Sequence, residues 1–444
     1  MQDLIKAVDK HTSFILEAER FLWKHPETGF KEYETSKYME DNFEKLGYEI
    51  VRADGITGFY TVIDTNRPGP EILILAELDA IICPTHPEAN PETGAVHSCG
   101  HNAQCATLLG IAAALKEDGI LDKFCGRIRL CAVPAEELLE IEFREKLREE
   151  GVIKYLGGKS EFLSRGYFDG VDIAFMVHTS VEYFGTRGSV GCMAKNIIYK
   201  GLAAHAGGCP WFGKNALYAA TSGITAANAL RETFRESDII RFHPIITKGG
   251  DMVNAIPETV TVESYVRGKT FDGILNANRA INRALVGGAV SLETNIEIID
   301  TPGYAPLVND LNMLQVAADA AALVIPQHKY RNYSTTGSGS TDMGELSCIM
   351  PVMHPYAQGA TGNAHGNNYQ VSDPIAACVD NAKWQLAILL LLLENGGERA
   401  KKIKSEFKGR FSSKEEYFAF LESLSKIGDC IEYKENGEIV VRPL

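Results

Sequence analysis

The sequence predicts an α/β fold, a mixed central sheet flanked by helices with an inserted ferredoxin-like (βαββαβ) unit. Three observations carry this. Strand-like apolar runs alternate with helical periodicity over the first part of the chain. A β-α-β-β-α-β order follows from about Val190. After Thr301-Pro302-Gly303 the α/β texture resumes, so the second unit interrupts the first. At 444 residues the chain is too long for one ordinary core and implies two domains, three at most.

Leu4 to Leu46 has helical periodicity, and Tyr48–Val51 and Gly58–Ile63 read as strands. The largely apolar run Glu71–Ala76 suits a central strand. Ala103–Lys116, small and aliphatic, reads as a buried helix, and Gly126–Val133 as a strand stopped by Pro134. Phe143–Gly151 carries charges of both signs and is expected to be a surface helix, an insertion in solvent. The inserted unit is read as a strand (Met193–Tyr199), a helix (Ala216–Arg231) and strands near Ile239–Thr247 and Thr259–Arg267. A helix (Gly273–Gly287) and a strand (Thr294–Asp300) complete it. Beyond Lys404, Ser413 and Glu416 have capping-box spacing for a last helix, before a short Glu438–Val441 strand.

Lys plus Arg is 44 against 58 Asp plus Glu, a formal charge of -14. That balance argues against a nucleic-acid partner, which would leave a clustered basic footprint. No polybasic segment for an anionic membrane is present. The run Leu386–Leu393 is far short of the ~20 residues of a spanning helix and reads as buried. No apolar h-region follows Met1, and the ten Cys read as free thiols or ligands rather than a disulfide framework. The expectation is a soluble cytoplasmic protein with a small-molecule partner.

The strongest local signal is Val96-His97-Ser98-Cys99-Gly100-His101-Asn102, between a predicted strand and a buried helix. Cys99 and His101, two apart, can turn toward one metal, and thiolate plus imidazole suits a borderline-soft divalent ion. Two residues alone also read as a buried Cys beside a surface His. Pro134-Ala135-Glu136-Glu137 ends a strand, where open α/β sheets bind ligands. One carboxylate there can ligate a metal while its neighbour acts as general base. His178 ends the apolar run Ile173–Val177, and His365 sits in a loop of small residues. Together Cys99, His101, Glu137, His178 and His365 supply the ligands of a two-metal hydrolytic site, with Glu136 as a spare carboxylate. Asp79 ends the Ile72–Leu75 strand region and is placed either to orient a ligand imidazole or as a turn Asp. In the inserted unit His205 lies among small residues, while Asn254 and Arg267 offer an amide and a guanidinium for a carboxylate.

The ordered series resembles the M20 metallopeptidase family in its D-type amidohydrolase/aminoacylase branch. It runs from His25-Pro26-Glu27-Thr28-Gly29-Phe30 with Glu32 through Glu77-Leu78-Asp79-Ala80 and Cys99-Gly100-His101-Asn102. Pro134–Glu137, His178, Ala204-His205-Ala206, Gly249–Pro257, Arg267 and Ser340-Thr341-Asp342-Met343-Gly344 continue it. The forms are most similar to the group of p-aminobenzoyl-glutamate hydrolases and β-alanyl-dipeptidases.

The resemblance implies two divalent ions, Zn or Mn, bridged by Cys99 and held further by His101, Glu137, His178 and His365. It implies hydrolysis of an N-acyl amino acid or dipeptide-like amide by a metal-activated water, with Glu136 as general base and acid; Asp79 is counted beside it as a catalytic residue through the ligand imidazole it would orient. It further implies a catalytic domain (1–189 plus 304–400) and a lid and dimerisation domain (190–303), with a C-terminal extension over 405–444. In the lid, His205 reaches the site of the second copy in a homodimer, and Arg267 binds a substrate carboxylate beside Asn254. The branch's commoner Cys-Gly-His-Asp-Gly-His is here Cys99-Gly100-His101-Asn102-Ala103-Gln104, without its later carboxylate and imidazole. The rival readings are a Cys-His nucleophilic amidase and a catalytically silent binding or regulatory protein on the same fold.

Overall fold

The computed structural model describes residues 1–326, 329–424 and 428–442. The chain forms two compact units, Met1–Gly188 with Leu307–Gly337 and Thr341–Lys414, and Ser189–Pro306 with Ser338–Ser340 and Glu415–Leu444. The segment 405–444, read as one extension, divides between them at Lys414.

The first unit is built on a six-stranded mixed sheet. Its order is Val51–Arg52, Phe59–Asp64, Arg127–Val133, Glu71–Glu77, Ile173–Phe175, Val352–Met353. The first two pairings are antiparallel and the remaining three parallel. Glu71–Glu77, at the centre, is buried along its whole length, as its apolar sequence requires. The N-terminal periodic segment resolves into three helices, Gln2–Lys10, Thr12–Lys24 and Tyr33–Lys45.

Every residue of the His101–Leu115 helix is buried, which explains a composition that is apolar all round. Leu108, Leu109 and Ile111, at 1% exposure or less, each contribute about 1.5–3 kcal/mol relative to an exposed side chain. Leu386–Leu393 is the end of a helical run, Ile375–Leu393. That run is long and apolar enough to cross a membrane, yet 72% of it is buried inside the protein. It packs against the His101–Leu115 and Leu311–Val324 helices as core.

The surface helix expected over Phe143–Gly151 needs correction. Observed over Ile141–Glu149, it is not wholly a solvent element, because Arg144 on it is 1% exposed. Its mixed charges conceal an apolar seam: Phe143 and Leu147 join Phe30, Ala135 and Ile153 in a separate small core.

The second unit contains the βαββαβ order. Gly191–Lys200 lies between Thr259–Gly268 and Asn295–Pro302, antiparallel to both. Arg241–Phe242 and Ile245–Lys248 pair on the far side of Thr259–Gly268. The helices Ala216–Ala229 and Phe271–Ser291 pack against this sheet and each other. Asn215 and Thr270 cap them, each side chain accepting backbone N–H groups of the first turn. Alternate residues of Gly191–Lys200 are buried, the signature of a sheet covered on one face.

Candidate metal centre

All the residues of this site belong to the first unit. Glu71–Glu77 delivers Glu77 and, just beyond, Asp79. Arg127–Val133 delivers Glu136 and Glu137, and His178 opens the short strand His178–Ser180. Cys99 and His101 lie at the start of the buried helix, where Gly100 adopts φ +85°. A side chain at position 100 would meet the Tyr369 hydroxyl and lie 3.0 Å from Thr179 Cβ, so only glycine lets Cys99 and His101 turn the same way. His365 is brought up by its loop, whose backbone N–H donates to the Ser98 carbonyl at 2.8 Å.

The five predicted ligands converge. Ligand atoms of Cys99, His101 and His178 lie within 4.8 Å of one another, as do those of Cys99, Glu137 and His365, and of His101, Glu136 and Glu137. Cys99 Sγ is 3.4 Å from both His178 Nε2 and His365 Nε2, the latter 2.9 Å from Glu137 Oε1. Sharing Cys99 between two groups is the arrangement a bridging thiolate needs.

The imidazoles are oriented for metal binding. His178 Nδ1 donates to the Thr179 carbonyl at 2.8 Å, and His101 Nδ1 to that of Asp79 at 2.9 Å. With Nδ1 donating to the backbone, Nε2 is the atom of each ring left to face the cluster and to serve as a ligand. His101 Nε2 is buried without a hydrogen-bond partner and faces Glu77 Oε2 at 3.2 Å. A buried ring nitrogen against a carboxylate, with a thiol and further carboxylates around it, is a place that a proton or a divalent cation fits. Asp79 Oδ1 lies 3.3 Å from His101 Nδ1, and its Oδ2 accepts the Glu137 N–H at 2.8 Å. It therefore fixes a ring and the backbone of a carboxylate together.

The electrostatics agree. Burial and the Glu137 carboxylate push the Cys99 thiol up, but the His101 and His178 imidazoles outweigh them and hold it at about 6. Hydrogen bonds to Cys99 and Glu137 raise His365 to about 10. Burial first, then the Glu77, Glu137 and Asp342 carboxylates, raise Glu136 well above the usual carboxylate range.

Sequence reading assigns no role to Lys159, Glu77 or Asp342. The Lys159 ammonium, fully buried, donates to Glu77 Oε1 at 2.6 Å and to Asp342, residues 82 and 183 positions away. The Glu77 and Asp342 oxygens lie within 4.8 Å of those of Glu136, so the lysine occupies the place of a cation behind the general-base candidate. The departures at 102 and 104 also find their use. Asn102 donates to Glu19 at 2.8 Å and Gln104 to Glu77 at 2.9 Å, both buried.

His205, Asn254 and Arg267 fall in the second unit. His205 is exposed, and its Nδ1 accepts the Gly208 N–H at 2.9 Å, which leaves Nε2–H as a donor. The Asn254 carbonyl accepts the Ala206 N–H at 2.9 Å. Arg267 is half-buried and donates to Ser340 Oγ at 2.9 Å, its guanidinium over the Tyr265 ring.

A thiol, imidazoles and carboxylates gathered at the strand ends of an α/β sheet define a metallohydrolase site. The sequence pattern of peptidase family M20/M25/M40 matches residues 73–390, and the chain belongs to this family. It is a hydrolytic enzyme acting on amide bonds. It is 25% identical over 353 residues to the Xaa-Arg dipeptidase of Mus musculus, covering 76% of this chain and 74% of the relative. Its fold resembles that of an aminobenzoyl-glutamate utilization protein from Klebsiella pneumoniae, with a TM-score of 0.66 and 17% identity over 89% of this chain and 99% of the other. It also resembles a dinuclear metal-binding M20 peptidase from Bacillus subtilis. There the TM-score is 0.65 and the identity 22%, over 87% of this chain and 99% of the other.

Proposed function

We propose that the enzyme hydrolyses the amide of an N-acyl amino acid or dipeptide-like substrate, of aminobenzoyl-glutamate or aminoacylase type, with Glu136 as general base. The observation that carries this is the convergence of Cys99, His101, Glu137, His178 and His365 around a buried Glu136. Two divalent ions held by those five residues would supply Lewis acidity toward the amide carbonyl and toward the attacking water. The thiolate of Cys99 biases the site toward Zn without excluding Mn.

Glu136 takes the proton of the attacking water and passes it to the leaving amine, a cycle favoured by a raised carboxyl pKa. Asp79 keeps His101 and Glu137 in register. His205 offers an N–H to the developing oxyanion in the site of a second copy, while Arg267 and Asn254 bind the substrate carboxylate. The second unit exposes Trp211, Phe212, Ile245, Met252 and Val253, which supports a homodimer through that unit. We place the enzyme in the cytoplasm.

Glu136→Gln should retain metal by elemental analysis and lose about 10²–10⁴-fold in kcat on a panel of aminobenzoyl-glutamate, N-acyl amino acids and dipeptides. Cys99→Ser should lose metal. Undiminished turnover in the first variant, or full occupancy in the second, rejects the assignment. The short Cys99–imidazole contacts favour one second reading, a Cys-His amidase, which chelator-insensitive turnover would establish.

A further inference from the structure

The helix Ile141–Glu149 comes directly after the Glu136–Glu137 turn, and Arg144 is the buried residue on it. Its hydrogen bonds go to backbone carbonyls. Nη2 donates to the Glu137 carbonyl, while Nη1 donates to the Leu156 carbonyl at 2.7 Å and, more distantly, to that of Ala135 at 3.5 Å. A guanidinium is suited to this because it offers several N–H donors in a fixed plane. The residues it grips bracket Glu136, and Ala135 sits at φ +54°, a conformation that a non-glycine residue adopts only when held there.

The same stretch is held from the other side. Glu32 Oε1 accepts the Ala135 N–H at 2.8 Å, and Gly158 N–H donates to the Ala135 carbonyl at 3.1 Å. The His25–Phe30 motif forms the floor. Thr28 and Lys31 bind Glu140 at the start of the helix, and the Arg144 guanidinium lies over the Phe30 ring. Gly29 has no room for a side chain, since a Cβ there would strike Arg144 Nη2 and come within 2.8 Å of Ala135 Cα. A charged insertion is thereby tied to the two residues that matter most for the chemistry.

We infer that Arg144 is a positioning residue, and that the segment 138–156, which carries the Ile141–Glu149 helix, is a brace holding Glu136 and Glu137 in their working orientation through their backbone. The inference rests on the proposed roles of those two glutamates.

The test compares Arg144→Met and Gly29→Ala with wild type, using steady-state kinetics on an aminobenzoyl-glutamate substrate and metal affinity by competition with a chelator. Gly29→Ala keeps the guanidinium and displaces it. Both variants are expected to lose about 10²-fold in kcat with KM little changed, because a displacement of about 1 Å at a reacting group has that effect. Zn affinity should fall about 10–100-fold, the usual consequence of disturbing a ligand's support. Arg144→Lys should recover part of the loss, and Lys146→Ala, on the exposed face, should behave as wild type.

Folded variants with wild-type kcat and Zn affinity overturn the brace. So does failure of both Arg144→Met and Gly29→Ala to fold, since the role would then be structural. Wild-type protein that binds no divalent metal fails the underlying reading instead, a separate result.

Discussion

Lys159 in the first unit and Lys195 in the second are both completely buried against carboxylates, and their surroundings differ. In the second unit, Lys195 Nζ binds Asp300 and, at 2.8 Å, Asn278 Oδ1. Asp300 also accepts from Asn278 Nδ2 at 2.6 Å and Asn282 Nδ2 at 3.0 Å. One cation, one anion and two amides make a neutral, closed network, and burial there lowers the Lys195 pKa. In the first unit Lys159 faces Glu77 and Asp342 with Glu136 behind them. Burial depresses the ammonium, but Asp342, Glu77 and Glu136 overcome it and raise its pKa. That network is not closed on itself: Glu77 also lies 3.2 Å from His101 Nε2, and through it the network opens onto the candidate ligand cluster. A buried network closed on itself serves stability, and one that opens onto candidate ligands serves a site.

The largest expected effect therefore belongs to Lys159→Met. It removes the cation between Glu77 and Asp342, at a cost of about 3–5 kcal/mol for an unpaired buried charge. It should also lower kcat per folded molecule, because Glu77 and Glu136 both lose their counter-charge. Urea denaturation with active-site-normalised kinetics measures both. Lys195→Met should cost less, about 2–3 kcal/mol, since Asp300 keeps its amide donors. It should leave kcat and metal content unchanged at a temperature where the variant is folded. Equal kinetic damage from the two substitutions would show that Lys159 has no special tie to the site.

The contrast also explains what was legible in the sequence. Cys99, His101, Glu136, Glu137 and His178 are readable because each lies beside a strand or a helix start, and His365 because it completes the ordered series, and motif order survives without three-dimensional information. The βαββαβ unit is readable for a similar reason, since its strands alternate and its helices are capped. Lys159 is not readable. Its partners are far away in the chain, and it follows a pair of glycines that looks like a turn. Arg144 is hidden differently: its helix is dense in Arg, Lys and Glu, and nothing local separates the one inward guanidinium from its solvated neighbours. Asn102 and Gln104 read as a carboxylate and an imidazole absent from the commoner motif, and only the fold shows them donating to buried carboxylates.

Glu19 is a buried carboxylate whose hydrogen-bond donor is an amide rather than a buried lysine. Burial raises its pKa from the usual 4.5 to about 7, with Arg20 and the Asn102 hydrogen bond opposing the rise and Glu88 adding to it. The folded state therefore holds a proton that the unfolded chain releases near pH 4.5. Stability attached to this group is complete below that pH, falls as pH rises toward 7, and stays reduced above it. Glu19→Gln keeps an oxygen to accept from Asn102 and removes the ionisation. The variant should match wild type in thermal stability near pH 4.5 and exceed it by about 1–2 kcal/mol at about pH 8, a discounted share of what such a shift is worth. Melting curves across that range decide the matter. A constant difference at all pH values would mean that Asn102 alone already satisfies the ionised carboxylate, and that a buried acid in this fold does not need the cation that Lys159 and Lys195 provide elsewhere.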